Sequence, residues 1–569
     1  MRTLTIKRPV AAIFALGFLV LVYLALIHLP APSEKRDFGP RGVLKCPKPP
    51  TSPASNLRRI PCIIDGHRRL GCLRDNEEVY FPFDKFIKKQ FDATGKLVES
   101  EGNSSSLRFE YSSSYSKVRI PEFTTYNPLG PFGHFSTYNV ENRDRVRCLK
   151  NGVPMSVQWN PIPYFYPIQI AQFALQHYSR NLSAEPTNEE DVLSPWKPSS
   201  PECKAVLEST NTDLSCSLAD ASMTKSFKSS NPNLLVLVFE WIPVSDASFT
   251  ILIDHAKISK RIVLNYLPSD DKRCLTTEDQ FEFNYYLNLP KEKDDFMVIA
   301  RDVLVDVNKA LAVLEKSKID RSWLPVKTGD IRLVEIQFKG HSKIKKQLTL
   351  KSSAHEEWFI TSADWFVDNQ NDQGGWSVPV QRSIADNRLI LKAGWHSAMA
   401  QGHGLSVLSR AYALTKKEKY LLAANRALQL FKTPASEGGV LNRLFDHDWY
   451  EEYPTTPGTF VVNGFMYALI GLYDMSQLGA GETNSADELF KTGLRSLKTF
   501  LPLYDTGSGS LYDLRHLGIW SAPNLARWDY HAVHIYLLKW LYHIDGDEKL
   551  NAVADRWVDY AKGKKAKHN

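Results

Sequence analysis

Residues 396–414 read HSAMAQGHGLSVLSRAYAL, and their apolar side chains recur at helical spacing. Leu405, Leu408 and Tyr412 are three and four positions apart, which places them on one face of an α-helix. Further segments with this period follow residue 353, separated by loops rich in Gly, Pro and Asp. The predicted helices are 355–369, 396–414, 416–430, 460–475, 486–500, 531–542 and 550–561. Helical hairpins repeated in this way predict an incomplete α/α toroid rather than a four-helix bundle.

Upstream of these helices the pattern becomes that of β-strands. Short alternating runs occur at 234–241, 248–253, 261–267, 281–287, 296–301 and 331–338. Antiparallel strands at this spacing predict a β-barrel or a β-sandwich, and the pattern leaves that choice open. Residues 79–135 are punctuated by Gly, Ser and Pro and read as β-hairpins, whereas 168–177 has helical spacing. The predicted fold class is therefore multidomain α+β.

The N-terminus has the pattern of a membrane anchor. Arg2, Lys7 and Arg8 precede an apolar run over 10–29, which is long enough as a helix to cross a bilayer. No clear cleavage site follows, and the basic flank favours a cytoplasmic N-terminus. We therefore predict a signal-anchor rather than a cleaved signal, with the rest of the chain lumenal.

These patterns divide the chain into six predicted regions. They are a cytoplasmic tail (1–8), a transmembrane signal-anchor (9–29), a stem (30–75), a β-hairpin domain (76–200), a β-barrel or sandwich (201–352) and an α/α toroid (353–569). A length of 569 residues fits two or three folded domains. With 43% hydrophobic and 23% charged residues, the composition excludes disordered, collagen-like and multi-span membrane proteins. The net charge of +7 permits a polyanionic partner without requiring one.

Cysteine usage agrees with a lumenal location. All 7 cysteines precede residue 275, and none forms a CxxC pair, which argues against a zinc site. In an oxidising lumen some of them pair, and the odd number leaves at least one free or intermolecular. Asn103-Ser-Ser and Asn181-Leu-Ser are candidate N-glycosylation sites. Together these features predict a glycoprotein of the secretory pathway.

Three loops of the helical region, 448–457, 503–516 and 522–531, each place Tyr near a carboxylate, Arg or His. Proton removal alpha to a carboxylate requires such groups. An arginine neutralises the substrate carboxylate as the carbanion develops, and a Glu, Tyr or His of suitable pKa takes the proton. An epimerase needs a second group to deliver a proton to the opposite face, whereas loss of the C4 substituent instead gives a lyase. Both reactions remain open from these residues alone.

The same loops resemble the D-glucuronyl C5-epimerases of heparan sulfate biosynthesis. The matching blocks are 374–376, 394–402, 449–457, 463–467, 501–516, 522–531 and 566–569, with 138–148 and 158–172 in the N-terminal half. The resemblance implies a lumenal Golgi isomerase, type II and homodimeric, whose toroid carries catalysis. Its implied reaction converts glucuronic acid to iduronic acid within N-sulfated heparosan chains.

Site residues are also implied by the resemblance. Glu452, Tyr453, Tyr512 and Tyr530 are the implied catalytic residues, with Glu452 and Tyr530 on opposite faces of the sugar ring. Arg515 is expected to bind the substrate carboxylate. Further substrate contacts are expected from Tyr138, Arg143, Arg145, Gln158, Tyr166, Gln169, Gln172, Asn463, Tyr467, Asn524, Arg527 and Trp528.

We expect no cofactor for this chemistry, no metal and no nucleic-acid partner. Some members of the family bind calcium in the β-region, but an acidic ligand of that site is replaced near Lys346, so we expect no structural calcium. The alternatives are a uronate-polymer lyase and a catalytically silent heparan-binding Golgi protein. Retention of all four implied catalytic residues argues against the silent protein.

Overall fold

The computed structural model describes residues 57–64, 68–74, 79–82, 93–99, 107–113, 125–133, 135–269, 271, 273–288, 295–314 and 323–567. The chain divides into two compact units, the first ending at Ser114 and the second beginning at Tyr115. None of the helices within the described ranges has the length and apolar character needed to span a bilayer. The predicted tail and signal-anchor, Cys46 and Asn103 lie outside the described residues.

The first unit contains short antiparallel strands. They are β1 (Arg58–Ile64), β2 (Arg68–Arg74), β3 (Val79–Tyr80), β4 (Ala93–Glu99) and β5 (Leu107–Ser113). The first three form one sheet in chain order, and β4 pairs with β5. A disulfide between Cys62 and Cys72 links β1 to β2, and such a cross-link stabilises a hairpin that would be marginal alone. Regular structure therefore begins inside the segment predicted as a stem.

The second unit contains a small sheet, β6 to β8, and a large sheet, β9 to β19. Their bounds are β6 Val146–Lys150, β7 Val153–Ser156, β8 Tyr164–Phe165, β9 Glu189–Asp191, β10 Lys197–Pro198, β11 Cys203–Leu207, β12 Asn211–Cys216, β13 Met223–Ser226, β14 Val236–His255, β15 Ile258–Leu267, β16 Leu275–Thr277, β17 Glu282–Tyr286, β18 Met297–Asp302 and β19 Ile331–Lys351. The main path of the large sheet is β10-β13-β19-β14-β15-β17-β16, which is open, so no closed barrel forms within the described residues.

Two long strands organise the large sheet. The first part of β14 pairs with β18 and its second part with β15, while β19 pairs along almost the whole of β14. Register shifts near Pro243 and Ser245 interrupt the β14–β19 pairing, and such irregularities bend a strand. The sheet encloses an apolar core that includes Trp241, Phe249 and Tyr266. Disulfides join Cys203 to Cys216 within it and Cys148 on β6 to Cys274 beside β16.

Helices form the rest of the second unit. They are α1 Pro167–Ser183, α2 Val303–Ala312, α3 His355–Asp368, α4 Ala398–Thr415, α5 Glu418–Lys432, α6 Val462–Ser476, α7 Thr483–Phe500, α8 Trp528–Asp545 and α9 Glu548–Ala561. The seven helices predicted after residue 353 are confirmed to within three residues at each end. Short hairpins fill the loops: β20 Ser377–Val378 with β23 Trp395–His396, β21 Arg382–Ile384 with β22 Leu389–Leu391, β24 Leu441–Leu444 with β25 His447–Tyr450, and β26 Leu511–Asp513 with β27 Asn524–Leu525.

The helices after β19 pack as sequential pairs, α4 on α5, α6 on α7 and α8 on α9. Helices α4 and α6 are buried along most of their length and pack on each other, and α8 packs on α6. Their close approach depends on glycine, because a Cβ at Gly471 would lie 2.0 Å from the carbonyl oxygen of Gly402. Helices α5, α7 and α9 bury one face only, as amphipathic outer helices do.

A buried ion pair ties the N-terminal part of this unit to the helices. The Arg410 guanidinium donates to Asp474 with an Nη1–Oδ2 distance of 2.6 Å, and neither side chain is exposed. The Tyr126 hydroxyl donates to the same carboxylate at 2.8 Å. Residues before α1 are thereby fixed to α4 and α6.

The large sheet lies between α1 and α3 in sequence, yet both helices pack together. The chain leaves α1 and returns to α3 through two adjacent segments. Asn188 O accepts a hydrogen bond from Ser352 N at 2.8 Å, and Lys351 Nζ lies 3.2 Å from Glu189 Oε2. Asn181, a predicted glycosylation site, is exposed near the end of α1.

Candidate active site

A cleft of two adjoining lobes lies where the residues before α3 meet the loops of α6 and α8. The main lobe, of about 620 Å³, is lined by Tyr138, Asn142, Arg143, Asp144, Arg145, Gln158, Tyr166, Ile168, Gln169, Gln172, Met399, Glu452, Tyr453, Asn463, Tyr467, Tyr530, Val533 and Tyr536. The side lobe, of about 390 Å³, is lined by Arg145, Gln158, Trp159, Arg382, Ile384, Tyr453, Tyr512, Asp513, Arg515, Asn524 and Tyr530. Because Arg145, Gln158, Tyr453 and Tyr530 belong to both, the lobes form one continuous cleft.

One wall of the cleft is built by the start of α1. Pro167 at the first position of this helix sets its beginning. Tyr166 is the N-cap residue just before it, and Gln169 and Gln172 lie three and six positions after Tyr166, on the same side of the helix. The Gln172 Oε1 accepts a hydrogen bond from Arg143 Nη1 at 2.6 Å, and the Arg143 guanidinium lies 5.6 Å from the centroid of the Tyr138 ring. These contacts hold a cation at the wall of the main lobe.

Two adjacent carboxyl groups, Glu451 and Glu452, have different environments. Both are buried, at 0% and 4% exposure. Glu451 is fully bonded, since it accepts hydrogen bonds from Phe460 N at 2.9 Å and from the Thr459 hydroxyl at 3.1 Å. Phe460 has a φ of +56°, a strained value for a residue with a side chain, so Glu451 acts by holding this loop in place.

Glu452, by contrast, points into the main lobe. Its Oε2 is buried and has no hydrogen-bond partner among the described residues. Burial raises the pKa of Glu452 to about 7, although a hydrogen bond from Tyr453 and the charge of Arg382 lower it. A carboxyl group with a pKa near neutrality can both take and return a proton, as a general acid–base catalyst must.

Three tyrosines surround this carboxyl group from different elements. Tyr453 follows it in the loop before α6, Tyr512 lies on β26, and Tyr530 lies in the first turn of α8. The rings of Tyr512 and Tyr530 meet edge to face with centroids 4.9 Å apart. Burial and the nearby Glu452 raise the pKa of all three hydroxyls. They are therefore protonated near neutral pH and are able to donate protons or hydrogen bonds.

Arg515 and Asn524 supply polar groups to the side lobe. Arg515 Nε lies 3.6 Å from Asp513 Oδ1, and Asn524 Nδ2 donates to Asp513 Oδ2 at 2.7 Å. Asp513 is only 2% exposed, so it contacts both side chains from the buried side of the lobe and fixes their positions. A guanidinium placed in this way can bind a carboxylate of the substrate.

Several buried polar atoms of the cleft lack hydrogen-bond partners among the described residues. They are Gln169 Oε1, Arg382 Nε, Glu452 Oε2, Asn463 Oδ1 and Arg515 Nε. Buried polar groups in folded proteins are nearly always hydrogen-bonded, so such a concentration marks a site that is completed by a polar ligand. No group of three or more His, Cys, Asp and Glu side chains in the described ranges is arranged to hold a metal ion.

Comparison with known proteins agrees with this geometry. Residues 214–341 match the β-sandwich domain of D-glucuronyl C5-epimerase, and residues 370–559 match the C-terminus of that protein. The chain is 45% identical over 563 aligned residues to the D-glucuronyl C5-epimerase of Caenorhabditis elegans, with 89% of each chain covered. This chain belongs to the D-glucuronyl C5-epimerase family. An uncharacterised protein of Methanocaldococcus jannaschii is 36% identical over 176 residues, which cover 29% of this chain and 53% of that one.

Membership of the D-glucuronyl C5-epimerase family decides the architecture of the large sheet, which is a β-sandwich. The barrel alternative of the sequence prediction was wrong, because β14 and β19 bend the sheet without closing it. Glu452, Tyr453, Tyr512, Tyr530 and Arg515 lie within the matched C-terminal range, whereas the cleft residues 138–172 lie outside both matched ranges.

The cleft brings together all the predicted site residues except Arg527 and Trp528. Trp528 is 57% exposed, and the side chain of Arg527 is 68% exposed beside Asp529. Arg527 nevertheless lies next to the cleft, with its guanidinium 5.9 Å from the centroid of the Tyr530 ring. Both residues precede or begin α8, at the edge of the site.

Arg382, Trp159 and Tyr536 are among the cleft residues that the sequence analysis did not predict. Arg382 and Trp159 line the side lobe, and Tyr536 lines the main lobe, where its hydroxyl is hydrogen-bonded to that of Tyr467. Tyr536 follows Val533 and Tyr530 at intervals of three along α8, so helical spacing from Tyr530 pointed to it. Arg382 lies in a short hairpin without periodicity, and no local signal identified it.

Proposed function

We propose that this chain is a D-glucuronyl C5-epimerase, an isomerase that converts glucuronic acid to iduronic acid within N-sulfated heparosan during heparan sulfate biosynthesis. The observation that carries the proposal is the buried Glu452 carboxyl group, whose Oε2 has no hydrogen-bond partner among the described residues and which lines the cleft with Tyr453, Tyr512 and Tyr530 around it. The family relationship supports the same reaction. A glycosaminoglycan chain also fits the arginines that line the cleft.

The first step removes the C5 proton of the uronate. Ionised Glu452 takes this proton, and the electron pair of the C5–H bond moves into the carboxylate group, which becomes a dianionic enediolate. Arg515 binds that group and stabilises its developing charge. Tyr453 and Tyr512, both protonated, donate hydrogen bonds to the intermediate.

The second step delivers a proton to the opposite face of C5. Tyr530 donates its hydroxyl proton there, the carboxylate regains its single charge, and Tyr530 becomes a tyrosinate. The charges of Arg527 and Arg145 lower the pKa of Tyr530 and so favour that anion. In the reverse direction Tyr530 and Glu452 exchange roles, since the reaction is reversible.

A lyase shares the first step and then expels the C4 substituent, which leaves an unsaturated uronate. We would incubate the detergent-solubilised full-length protein with N-sulfated heparosan in deuterated water and record deuterium at C5 together with ultraviolet absorbance. Deuterium incorporation with new iduronate and no absorbance is the expected result. Absorbance would identify a lyase, and neither signal with retained binding would leave a heparan-binding protein.

We also propose a cellular location, a membrane topology and an oligomeric state for this enzyme. The basic residues before the apolar run 10–29 support a single-pass type II anchor in the Golgi membrane with a lumenal catalytic part. The family resemblance supports a homodimer. We propose no cofactor and no structural calcium, because Glu452, the tyrosines and Arg515 supply every group that the reaction needs, and because an acidic calcium ligand of the family is replaced near Lys346.

We also propose that the helices after β19 form an incomplete α/α toroid. Support comes from the sequential helix pairs, with α4 and α6 inside and amphipathic α5, α7 and α9 outside. The loops that carry Glu452, Tyr512 and Tyr530 would then share one end of the toroid.

A further inference from the structure

Arg382 is a cation of the side lobe that the mechanism above does not use. It begins β21, and its guanidinium lies 4.8 Å from the ring centroid of Trp159 and 5.9 Å from that of Tyr453. Trp395 packs against both rings, with centroid separations of 6.2 and 5.7 Å. Contact with aromatic faces favours and orients the guanidinium. These ring contacts therefore fix the position of the Arg382 side chain within the side lobe.

The charge of Arg382 is uncompensated. It forms no ion pair with any residue in the described ranges, and its buried Nε has no hydrogen-bond partner there. Arg515, in the same lobe, has Asp513 beside it at 3.6 Å. Aromatic rings fix the Arg382 guanidinium, and its buried Nε–H group has no acceptor among the described residues. Such a guanidinium is suited to bind an anionic group of a ligand.

We propose that Arg382, together with Arg515, binds the carboxylate of the uronate that reacts. This assignment rests on the proposed function. Removal of the C5 proton to Glu452 leaves the carboxylate group with a second negative charge, and reprotonation of C5 removes that charge again. Since Asp513 offsets part of the charge of Arg515, Arg382 supplies the additional positive charge that the dianion requires.

Its position favours the reacting carboxylate over a sulfate of a neighbouring sugar. Arg382 lies 5.9 Å from the ring centroid of Tyr453, and its charge lowers the pKa of Tyr453 and of Glu452, the proposed base. An anion that contacts Arg382 therefore lies next to Tyr453 and to Glu452, which takes the C5 proton.

A binding comparison tests the carboxylate directly. The ligands are an N-sulfated heparosan octasaccharide and its carboxyl-reduced derivative, which keeps every sulfate, and the proteins are the full-length wild type, Arg382→Gln and the control Arg443→Gln. Arg443 is a surface arginine outside the cleft, with its side chain 68% exposed. For Arg382→Gln we expect about 10-fold weaker binding of the octasaccharide and an effect below about 2-fold for the reduced form. Equal losses for both ligands would indicate a sulfate contact and overturn the proposal, as would no loss for either.

Turnover gives a second, independent measurement. In Arg382→Gln we expect kcat for C5 deuterium exchange to fall by about 100-fold, with no change in Arg443→Gln. The acid limb of the pH profile should move to higher pH, because the cation that lowers the pKa of Glu452 is lost; a merely structural role would not move it. The other groups facing Glu452 are Tyr166, Tyr453, Tyr512, Asp513 and Tyr530.

An unchanged kcat in Arg382→Gln would overturn the proposal. If the wild type itself shows no exchange, the proposed function fails, and the two-ligand comparison still decides whether Arg382 binds a carboxylate.

Discussion

Gly464 controls the position of Glu452, and its replacement by alanine tests the proposed base without removing it. Gly464 is the third residue of α6, and an added Cβ would lie 2.4 Å from Glu452 Oε2 and 2.6 Å from Glu452 Cβ. Ordinary van der Waals contact begins at 3.4 Å. Because α6 is buried and fixed by its neighbours, Glu452 has to move away by about 1 Å, and since its Cβ is also in contact, its backbone shifts with it.

We expect Gly464→Ala to lower the rate of catalysis more than it lowers the stability of the fold. A displacement of about 1 Å at a reacting group lowers rates by about 100-fold. Alanine in place of a helical glycine gains about 1 kcal/mol of helix propensity, while overpacking costs about 1–3 kcal/mol. The free energy of unfolding should therefore fall by no more than about 2 kcal/mol.

The assay is C5 deuterium exchange on N-sulfated heparosan, with urea unfolding measured in parallel. The matched control is Gly329→Ala, because a Cβ at Gly329 would have no atom within 4 Å. We expect kcat to fall by about 100-fold in Gly464→Ala and to stay unchanged in the control. A fully active Gly464→Ala protein would show that the position of Glu452 is not critical and would refute its role as the base.

Four further predictions concern the same unit. Tyr530→Phe should reduce the formation of iduronate from glucuronate by at least about 1,000-fold while heparin affinity and folding remain, since the proton donor for the opposite face is lost; unchanged epimerisation would remove Tyr530 from the mechanism. Arg515→Lys should raise KM in initial-rate measurements, because bidentate contact is lost, and unaltered KM and kcat would contradict this role. The exchange rate should rise with pH through a midpoint near 7, where buried Glu452 ionises, and a flat profile between about pH 6 and 8 would argue against it. Asp474→Ala should cost about 3–5 kcal/mol in urea unfolding, because the Arg410 charge stays buried without its partner; a loss below about 1 kcal/mol would show that the pair is unimportant.

The helical half of the fold was predictable because its signal is local. In α7 and α9, apolar residues recur on one face only, so the period itself defines each helix. Some of the sandwich strands were located as well, but β9 to β13 and β16 were not predicted, and 234–241 and 248–253 were predicted as separate strands and form the single strand β14. The polar residues Ser245 and Asp246 and the bend beside Pro243 read as a turn, whereas long-range pairing with β19 carries the strand through them.

The site was predictable as far as its motifs are contiguous. The block around Glu452 and the block around Tyr530 each combine several reactive side chains, so both were found. Arg382 and Trp159 were not found, because their place in the site depends on a tertiary contact between residues more than 200 positions apart in sequence. Such a contact produces no recognisable sequence pattern in either segment.

The paired segments at Asn188 and Ser352 bear on how this protein evolves. The whole sandwich enters and leaves the helical body at one point, so insertions or deletions within it do not alter the spacing of α1 and α3. It contacts the rest of the unit elsewhere through fixed supports, which include the Cys148–Cys274 disulfide, the hydrogen bond from Trp358 Nε1 to the carbonyl oxygen of Ala300 at 3.2 Å and that from Lys309 Nζ to the carbonyl oxygen of Arg143 at 2.8 Å, so the parts of the sandwich away from them are the ones free to vary. Selection can therefore change the length and surface of the sandwich while the groups that handle the C5 proton stay under separate constraint.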